Sequence, residues 1–208
     1  MTLIRIATVE PPLDRSPVRE SAARLVRRAA AVGLLKGRAQ VQRLDLELLR
    51  WIAREAAAEG VGQDAALALL DVNSRPDQLA GAIRLLDVAL SESPLPAREL
   101  RELLQIFDPD QLAELVGSSA VSLRRYSAGT RTMPDRLAAR IHWLALLVSD
   151  LAGAYNELGI RRWFERSRSQ LNGHAPEHYL RNDWDPETPS VQKVRGLAAA
   201  LAGAGALT

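Results

Sequence analysis

The sequence predicts an all-α protein, a bundle of short helices. Apolar residues recur with the 3.6-residue period of amphipathic helices in window after window, and the alternation typical of half-buried strands is almost absent. Residues that favour strands are sparse, and aromatic residues make up only 4% of the chain. Apolar residues make up 47%, which is enough to build a buried core.

The composition excludes several kinds of chemistry. There is no cysteine, so disulfides, thiolate metal sites and a cysteine nucleophile are excluded. No apolar run approaches the roughly 20 residues that a membrane span needs. The first residues lack the basic, apolar and small-residue order of a signal peptide. We therefore expect a cytoplasmic protein without a membrane partner.

The charge of the chain is unevenly distributed, although the net charge is only +2. Residues 1–43 carry nine basic and three acidic side chains, and residues 118–168 carry nine and four. Between them, residues 44–117 carry six basic and fourteen acidic side chains. Because phosphate binding needs clustered arginine or lysine, a nucleic acid would bind through the basic blocks.

The N-terminal part, residues 1–95, is predicted to be a helical extension that supplies a dimerisation region or contacts another partner. Proline is favoured at the first position of a helix, and glycine is favoured after the last. These signals and the apolar stripes predict helices over Pro17–Val32, Leu44–Ala58, Gln63–Leu70, Pro76–Leu90 and Pro96–Phe107. The similar words "PDQLA" at 76 and 109 and "PDRLA" at 134 are interpreted as helix starts, with a solenoid repeat as the alternative.

Residues 109–134, "PDQLAELVGSSAVSLRRYSAGTRTMP", predict two short helices joined by a tight turn. Gly117 ends the first helix, because glycine readily adopts the left-handed conformation that a sharp exit needs. Ser118 or Ser119 caps the second helix, which points Val121 or Leu123 inward. Two short helices separated by such a turn form a helix-turn-helix, the predicted core of the bundle.

A long helix is predicted after this motif, from Pro134 to about Tyr155. Its apolar stripe includes Leu137, Ile141 and Leu144. His142 lies on this helix and is interpreted as a core or boundary histidine. Residues 96–157 are therefore predicted to form one helix-turn-helix domain.

The segment 109–134 resembles the Xre-like helix-turn-helix of phage-repressor type. "LAELVG" matches the first helix and its glycine, and "SSAVSLRRYSAG" matches the recognition helix. In such folds the second helix enters the major groove of DNA. The resemblance implies these DNA contacts: Ser119, Ser122, Arg124, Arg125 and Arg131.

This sequence departs from the family pattern at Ala120 and Val121, where such readers often carry polar side chains. Fewer polar groups at these positions argue against strong sequence specificity. Tyr126 is expected to pack against the motif with its hydroxyl exposed. The alternative is a helical hairpin whose arginines are merely solvated.

The C-terminal part begins with "GIRRWFERSRSQLNGHAPEHYL" and ends in an amphipathic helix that Gly203 and Gly205 are expected to terminate. Asn172–Gly173 is a pair suited to a turn with positive φ. Pro176 is expected to begin a short helix. Residues 158–208 are therefore predicted to form a small C-terminal helical domain.

This part resembles the C-terminal toxin-binding domain of the Xre/MbcA/ParS antitoxin family. The family pattern has a Trp-Leu pair, a short polar stretch, a Leu-x-Gly-x-x-Pro-x-x-x-Leu segment and a closing apolar helix. The matching residues, which the resemblance implies to be partner-binding, are Trp163, Leu171, Gly173, Pro176, Leu180, Val191 and Val194. Together with the helix-turn-helix, the resemblance covers residues 97–203.

The resemblance implies an antitoxin of a type II toxin-antitoxin system. Such a protein binds and inhibits a RES-domain toxin that consumes NAD, represses its own promoter on double-stranded DNA and acts as a homodimer. Two alternatives remain: a stand-alone DNA-binding regulator and a protein-binding adaptor that has no toxin.

Enzyme activity is not expected from this sequence, and neither is a cofactor. There is no glycine-rich phosphate loop and no Gly-x-Ser-x-Gly elbow. His174 and His178 are four residues apart, but no third metal ligand is evident, and Pro176 separates them. The nearby acidic residues are explained by an exposed loop. We therefore expect no metal site.

Overall fold

The computed structural model describes residues 4–36, 40–71, 76–181 and 183–204. The prediction of an all-α fold is confirmed, because 68% of the chain is helical and only 2% is strand. The chain divides at Leu95 into an N-terminal and a C-terminal compact unit. Within the described ranges, no helix combines the length and the apolar character that crossing a membrane requires.

In its described residues, the N-terminal unit contains four helices: α1 (Ser16–Ala31), α2 (Leu46–Ala58), α3 (Gln63–Asp71) and α4 (Pro76–Glu92). Helix α1 packs on α4, and α3 packs on both α2 and α4. Leucine and isoleucine side chains from these helices, such as Leu25 and Ile52, are fully buried. A buried ion pair joins α1 to α4, with Arg28 Nε 2.7 Å from Asp87 Oδ1.

A small parallel sheet in this unit is not predicted by the sequence. Strands β1 (Thr8–Val9) and β2 (Arg43–Leu44) pair in parallel, with Thr8 opposite Arg43. Each strand has two residues, which is too short to produce an alternating pattern. The pairing also joins segments that lie far apart in sequence, so no local signal could identify it.

The C-terminal unit contains six α-helices in the described residues: α5 (Pro96–Ile106), α6 (Pro109–Val116), α7 (Ala120–Ser127), α8 (Asp135–Leu151), α9 (Glu157–Glu165) and α10 (Pro189–Ala204). Two 3-10 helices, Ser169–Leu171 and Pro176–Leu180, lie between α9 and α10. The sequence predicts a division into two domains at 157/158. The structure instead packs the segments on either side of that position into one unit.

Helix α8 is the centre of this unit. Every residue from Arg140 to Leu151 is buried, and α5 and α10 both pack against this helix. A helix that is covered on all sides needs partners for its polar groups. His142 has such a partner in α5, because its Nδ1 lies 2.6 Å from Oε1 of the fully buried Glu99.

The structure differs from the predicted helices at the ends of α8 and α10 and in the type of helix at Pro176. Helix α8 ends at Leu151 and not near Tyr155, because Asn156 caps α9 by accepting a hydrogen bond from the Gly159 N–H at 2.8 Å. The helix expected at Pro176 is a 3-10 helix. Helix α10 continues through Gly203 to Ala204, so Gly203 does not end it, and Gly205 lies outside the described residues.

Candidate nucleic-acid interface and C-terminal corner

The turn between α6 and α7 follows the helix-turn-helix pattern. Asp108 caps α6 by accepting from the backbone N–H groups of Asp110 and Gln111. Gly117 has φ 67°, and the next N–H, that of Ser118, donates to the Ala113 carbonyl at 2.9 Å. This left-handed residue reverses the chain within three positions and lets α7 pack across α6.

Ser119 is the residue that caps α7. Its hydroxyl oxygen accepts from the Ser122 N–H at 3.2 Å and donates to the Ser122 hydroxyl at 3.0 Å. Both serines are predicted DNA contacts, and the structure brings them together. Because each hydroxyl is both a donor and an acceptor and its hydrogen rotates, either serine can donate to a ligand while it accepts from the other.

Helix α7 has a buried face and an exposed face. Leu123 and Tyr126 are buried, which decides between the two residues predicted to point inward. Val121 instead is 56% exposed. It shares the exposed face with Arg124, Arg125 and Ala128, which follow it at the i+3, i+4 and i+7 positions of one helical stripe.

The arginines of this segment are placed for contact with an anion. Arg124 and Arg125 are exposed, and within the described part of the chain neither forms an ion pair with a carboxylate. Arg131 lies beyond the end of α7, with its guanidinium carbon 5.4 Å from the centre of the Tyr126 ring. The predicted contacts therefore occupy the start, the middle and the exit of one helix.

The C-terminal end of α7 is also fixed. Gly129 has φ 71°, and the N–H and hydroxyl of Thr130 both donate to the Arg125 carbonyl at 3.1 Å. From α5, Arg101 donates to the Ser127 carbonyl at 3.1 Å. These bonds satisfy terminal carbonyls that a short helix otherwise leaves without partners.

A buried arginine on α8 connects the helix-turn-helix to the C-terminal segment. Arg140 is 3% exposed, and each of its three nitrogens donates a hydrogen bond. Nε donates to the Trp184 carbonyl at 2.7 Å, and Nη1 donates to the Val116 carbonyl at 3.3 Å. Nη2 bonds the Asp183 carboxylate, which Arg136 also contacts.

Trp184 completes this connection. Its Nε1–H donates to the Leu115 carbonyl at 2.8 Å, and its ring packs edge-on against Trp143 with centroids 5.1 Å apart. The last two carbonyls of α6, those of Leu115 and Val116, are thus bonded to Trp184 and Arg140. The roles of Arg140 and Trp184 are not predicted from the sequence. A single tryptophan in the polar stretch "RNDWDPE" nevertheless indicates a residue that is buried to hold this segment in place.

The predicted partner-binding residues are mostly part of the core. Six of the seven are buried in the chain itself: Trp163, Leu171, Pro176, Leu180, Val191 and Val194. Their role as direct contacts stays a prediction, and in this conformation their side chains are buried in the chain's own core. Gly173 is the exposed member of the set. By packing in the core, the six buried residues hold the backbone of the exposed residues in place.

An exposed corner lies over these buried residues, formed by Asn172, Gly173, His174 and His178. Asn172 and Gly173 have φ 55° and 81°, which gives the predicted turn. The rings of His174 and His178 are stacked, 4.1 Å apart and 9° from parallel. Lone pairs in the planes of stacked rings run parallel and do not converge on one ion. Among the described residues, no cluster of three or more histidine, cysteine or acidic side chains could hold a metal.

An arginine under the corner packs on the tryptophan of the motif. The guanidinium carbon of Arg168 lies 4.7 Å from the centre of the Trp163 ring, within the range of a cation–π interaction. Burial lowers the pKa of Arg168, and the nearby Tyr155 opposes this shift. The Tyr179 hydroxyl donates to the Leu171 carbonyl at 2.9 Å and ties the two 3-10 helices together.

No protein-family model, curated protein or solved structure matches this chain. The resemblance to Xre/MbcA/ParS antitoxins stays a prediction that rests on the residues quoted above. The geometry of α6, α7 and the corner is independent of it.

We predict that Trp184→Phe lowers the free energy of unfolding by about 1–3 kcal/mol more than Trp143→Phe, because it leaves the buried Leu115 carbonyl without its donor. Trp143→Phe is the matched control, since it removes the same ring volume from the same aromatic pair. The Trp143 Nε1 has no hydrogen-bond partner among the described residues. Urea denaturation followed by far-UV circular dichroism measures both variants, and equal losses would contradict the assigned hydrogen bond.

A second prediction concerns acid. The hydrogen bond from Arg140, aided by the charge of Arg136, holds the pKa of Asp183 below its ordinary value. A carboxyl group whose pKa is lowered by folding stabilises the fold at pH values above its ordinary pKa. This stabilisation is lost as the pH falls through the pKa of the folded state. Asp183→Asn should therefore lower the melting temperature at pH 7, and the gap to the wild type should narrow as the pH falls below the ordinary pKa of an aspartate carboxyl.

The control for this experiment is Glu177→Gln, which changes the net charge equally without touching Arg140. Glu177 pairs with Arg181 on the surface, at 3.1 Å. Melting curves of all three proteins between pH 2 and pH 7 test the prediction. A gap that widens as the pH falls would refute it.

Proposed function

We propose that this protein is a DNA-binding antitoxin. In this proposal, the exposed face of α7 binds promoter DNA, and the C-terminal corner binds and inhibits a RES-domain toxin that consumes NAD. The observation that carries the proposal is the exposed face of α7, which presents Arg124 and Arg125 on the second helix of a helix-turn-helix. Because its target is DNA, we place the protein in the cytoplasm.

The DNA part is supported by three features of α7. Its guanidinium groups are exposed, and in the described residues they have no carboxylate partner, so pairing with phosphate or guanine costs no internal ion pair. The helix is held at both ends, by the Ser119 cap and by the bonds to the Arg125 carbonyl. A rigid reading element lowers the entropy that binding must offset. Proteins of this geometry bind two half-sites as dimers, and we propose a homodimer.

The toxin part is supported by the way the corner is built. The residues of the family-like pattern are buried apart from Gly173, whereas Asn172, Gly173, His174 and His178 are exposed to solvent. A structured and exposed corner suits contact with another protein. A stand-alone regulator or a protein-binding adaptor would use the same surfaces without a toxin, and a measurement of NAD separates these alternatives from an antitoxin.

For DNA binding, we predict that Arg125→Ala weakens the affinity for the DNA upstream of its own gene and lowers the salt slope by about one unit, because one phosphate contact is lost. Arg181→Ala is the control, since it removes an equal charge from an exposed side chain outside α7. Gel-shift titrations at several salt concentrations give both quantities. Absence of binding by the wild type at low salt would sink the DNA proposal.

For toxin binding, the wild type should co-purify with the RES-domain product of an adjacent gene and restore the NAD content of cells that express it. The double variant His174→Ala/His178→Ala should lose this protection and keep its DNA affinity. Arg125→Ala should do the reverse, so each variant is the control for the other. If the wild type restores no NAD, the antitoxin assignment fails and the regulator remains.

A further inference from the structure

Val121 is an unusual residue for its position in the motif. The other large aliphatic side chains of α6 and α7, including Leu112, Val116 and Leu123, are buried, but Val121 is 56% exposed in the first turn of α7. It has no role in the core of this chain. Its exposed side chain is therefore open to contact with a partner.

The surroundings of Val121 identify the kind of partner that would cover it. Arg124 and Arg125 lie one turn further along the same exposed face. A docking that brings these cations to DNA also brings Val121 to DNA. The N-terminal part of a recognition helix is the part that contacts base edges. Ala120, directly before Val121, has a side chain too small to hold the helix away from the groove.

We propose that Val121 recognises thymine, by packing its side chain against the C5-methyl group in the major groove. This inference rests on the proposed DNA binding and adds the base that is read. In the major groove, thymine presents a methyl group beside its O4 acceptor, whereas the guanine, adenine and cytosine edges present only hydrogen-bond donors and acceptors. A valine placed over those edges would remove water from polar groups and offer no hydrogen bond in return.

The apolar start of α7 therefore has a specific role. It departs from the polar side chains typical of such readers, and this departure alone argues against strong specificity. At the one base pair that Val121 contacts, its exposed apolar side chain would instead provide specificity, for thymine. Ser122 and the two arginines remain as the polar contacts around it.

The test uses the full chain and a pool of duplexes with a randomised 20-base-pair centre. Selected duplexes are then remade with deoxyuridine in place of single thymines, which removes only the methyl group. We expect one position in each half-site at which this change weakens binding about fourfold, the effect of burying roughly one methyl group. Val121→Ala should bind the thymine and uracil duplexes with equal affinity.

Leu158→Ala is the matched control, because Leu158 is similarly exposed, at 48%, in the same unit but outside α7. It should keep the fourfold difference of the wild type. If no uracil replacement weakens binding, or if Val121→Ala keeps the difference, thymine recognition is overturned while DNA binding stands. Equal weakening of both duplexes by Val121→Ala would instead place Val121 in a contact between proteins. If no duplex is enriched, the DNA proposal itself fails and this inference fails with it.

Discussion

The Arg140 guanidinium is the group on which the arrangement of the C-terminal unit depends. Removing a cation from water costs several kcal/mol unless it is fully bonded, and Arg140 is 3% exposed. Its bonds go to the end of α6 and to the loop before α10, through Val116, Asp183 and Trp184. The turn into α7 begins at the residue after Val116. The same buried charge therefore fixes the C-terminal loop and the first helix of the helix-turn-helix.

Local signals predict most of this fold, and non-local pairings are what they miss. Gly117 and Ser119 are residue types that mark helix ends and can be recognised directly in the sequence. In the structure, Gly117 ends α6 and Ser119 caps α7. The bonds of Trp184 and the contact between Glu99 and His142 join residues more than 40 positions apart. Residue type can reveal that such groups need partners. It cannot reveal which partner the fold supplies.

The candidate sites also differ in how well the sequence predicts them. On α7, the predicted arginines are exposed, because the spacing of a helix fixes which residues share a face. In the C-terminal segment, the pattern consists of apolar and turn residues, and the structure buries nearly all of them. A pattern of that composition describes how a segment packs. The side chains that would touch a partner occupy positions that the pattern leaves unspecified, such as His174 and His178.

The hydrogen bonds of Leu115 and Val116 have a consequence for how such a protein can change over evolutionary time. A new partner specificity is often acquired by exchanging a whole terminal segment through recombination. Here the incoming segment would have to bring its own equivalents of Asp183 and Trp184, or the recipient would keep a buried Arg140 without two of its three hydrogen bonds and a Leu115 carbonyl without its donor. A crossover between α8 and α9 is therefore disfavoured. Point substitutions on the exposed corner, around Gly173, are the route that leaves the helix-turn-helix undisturbed.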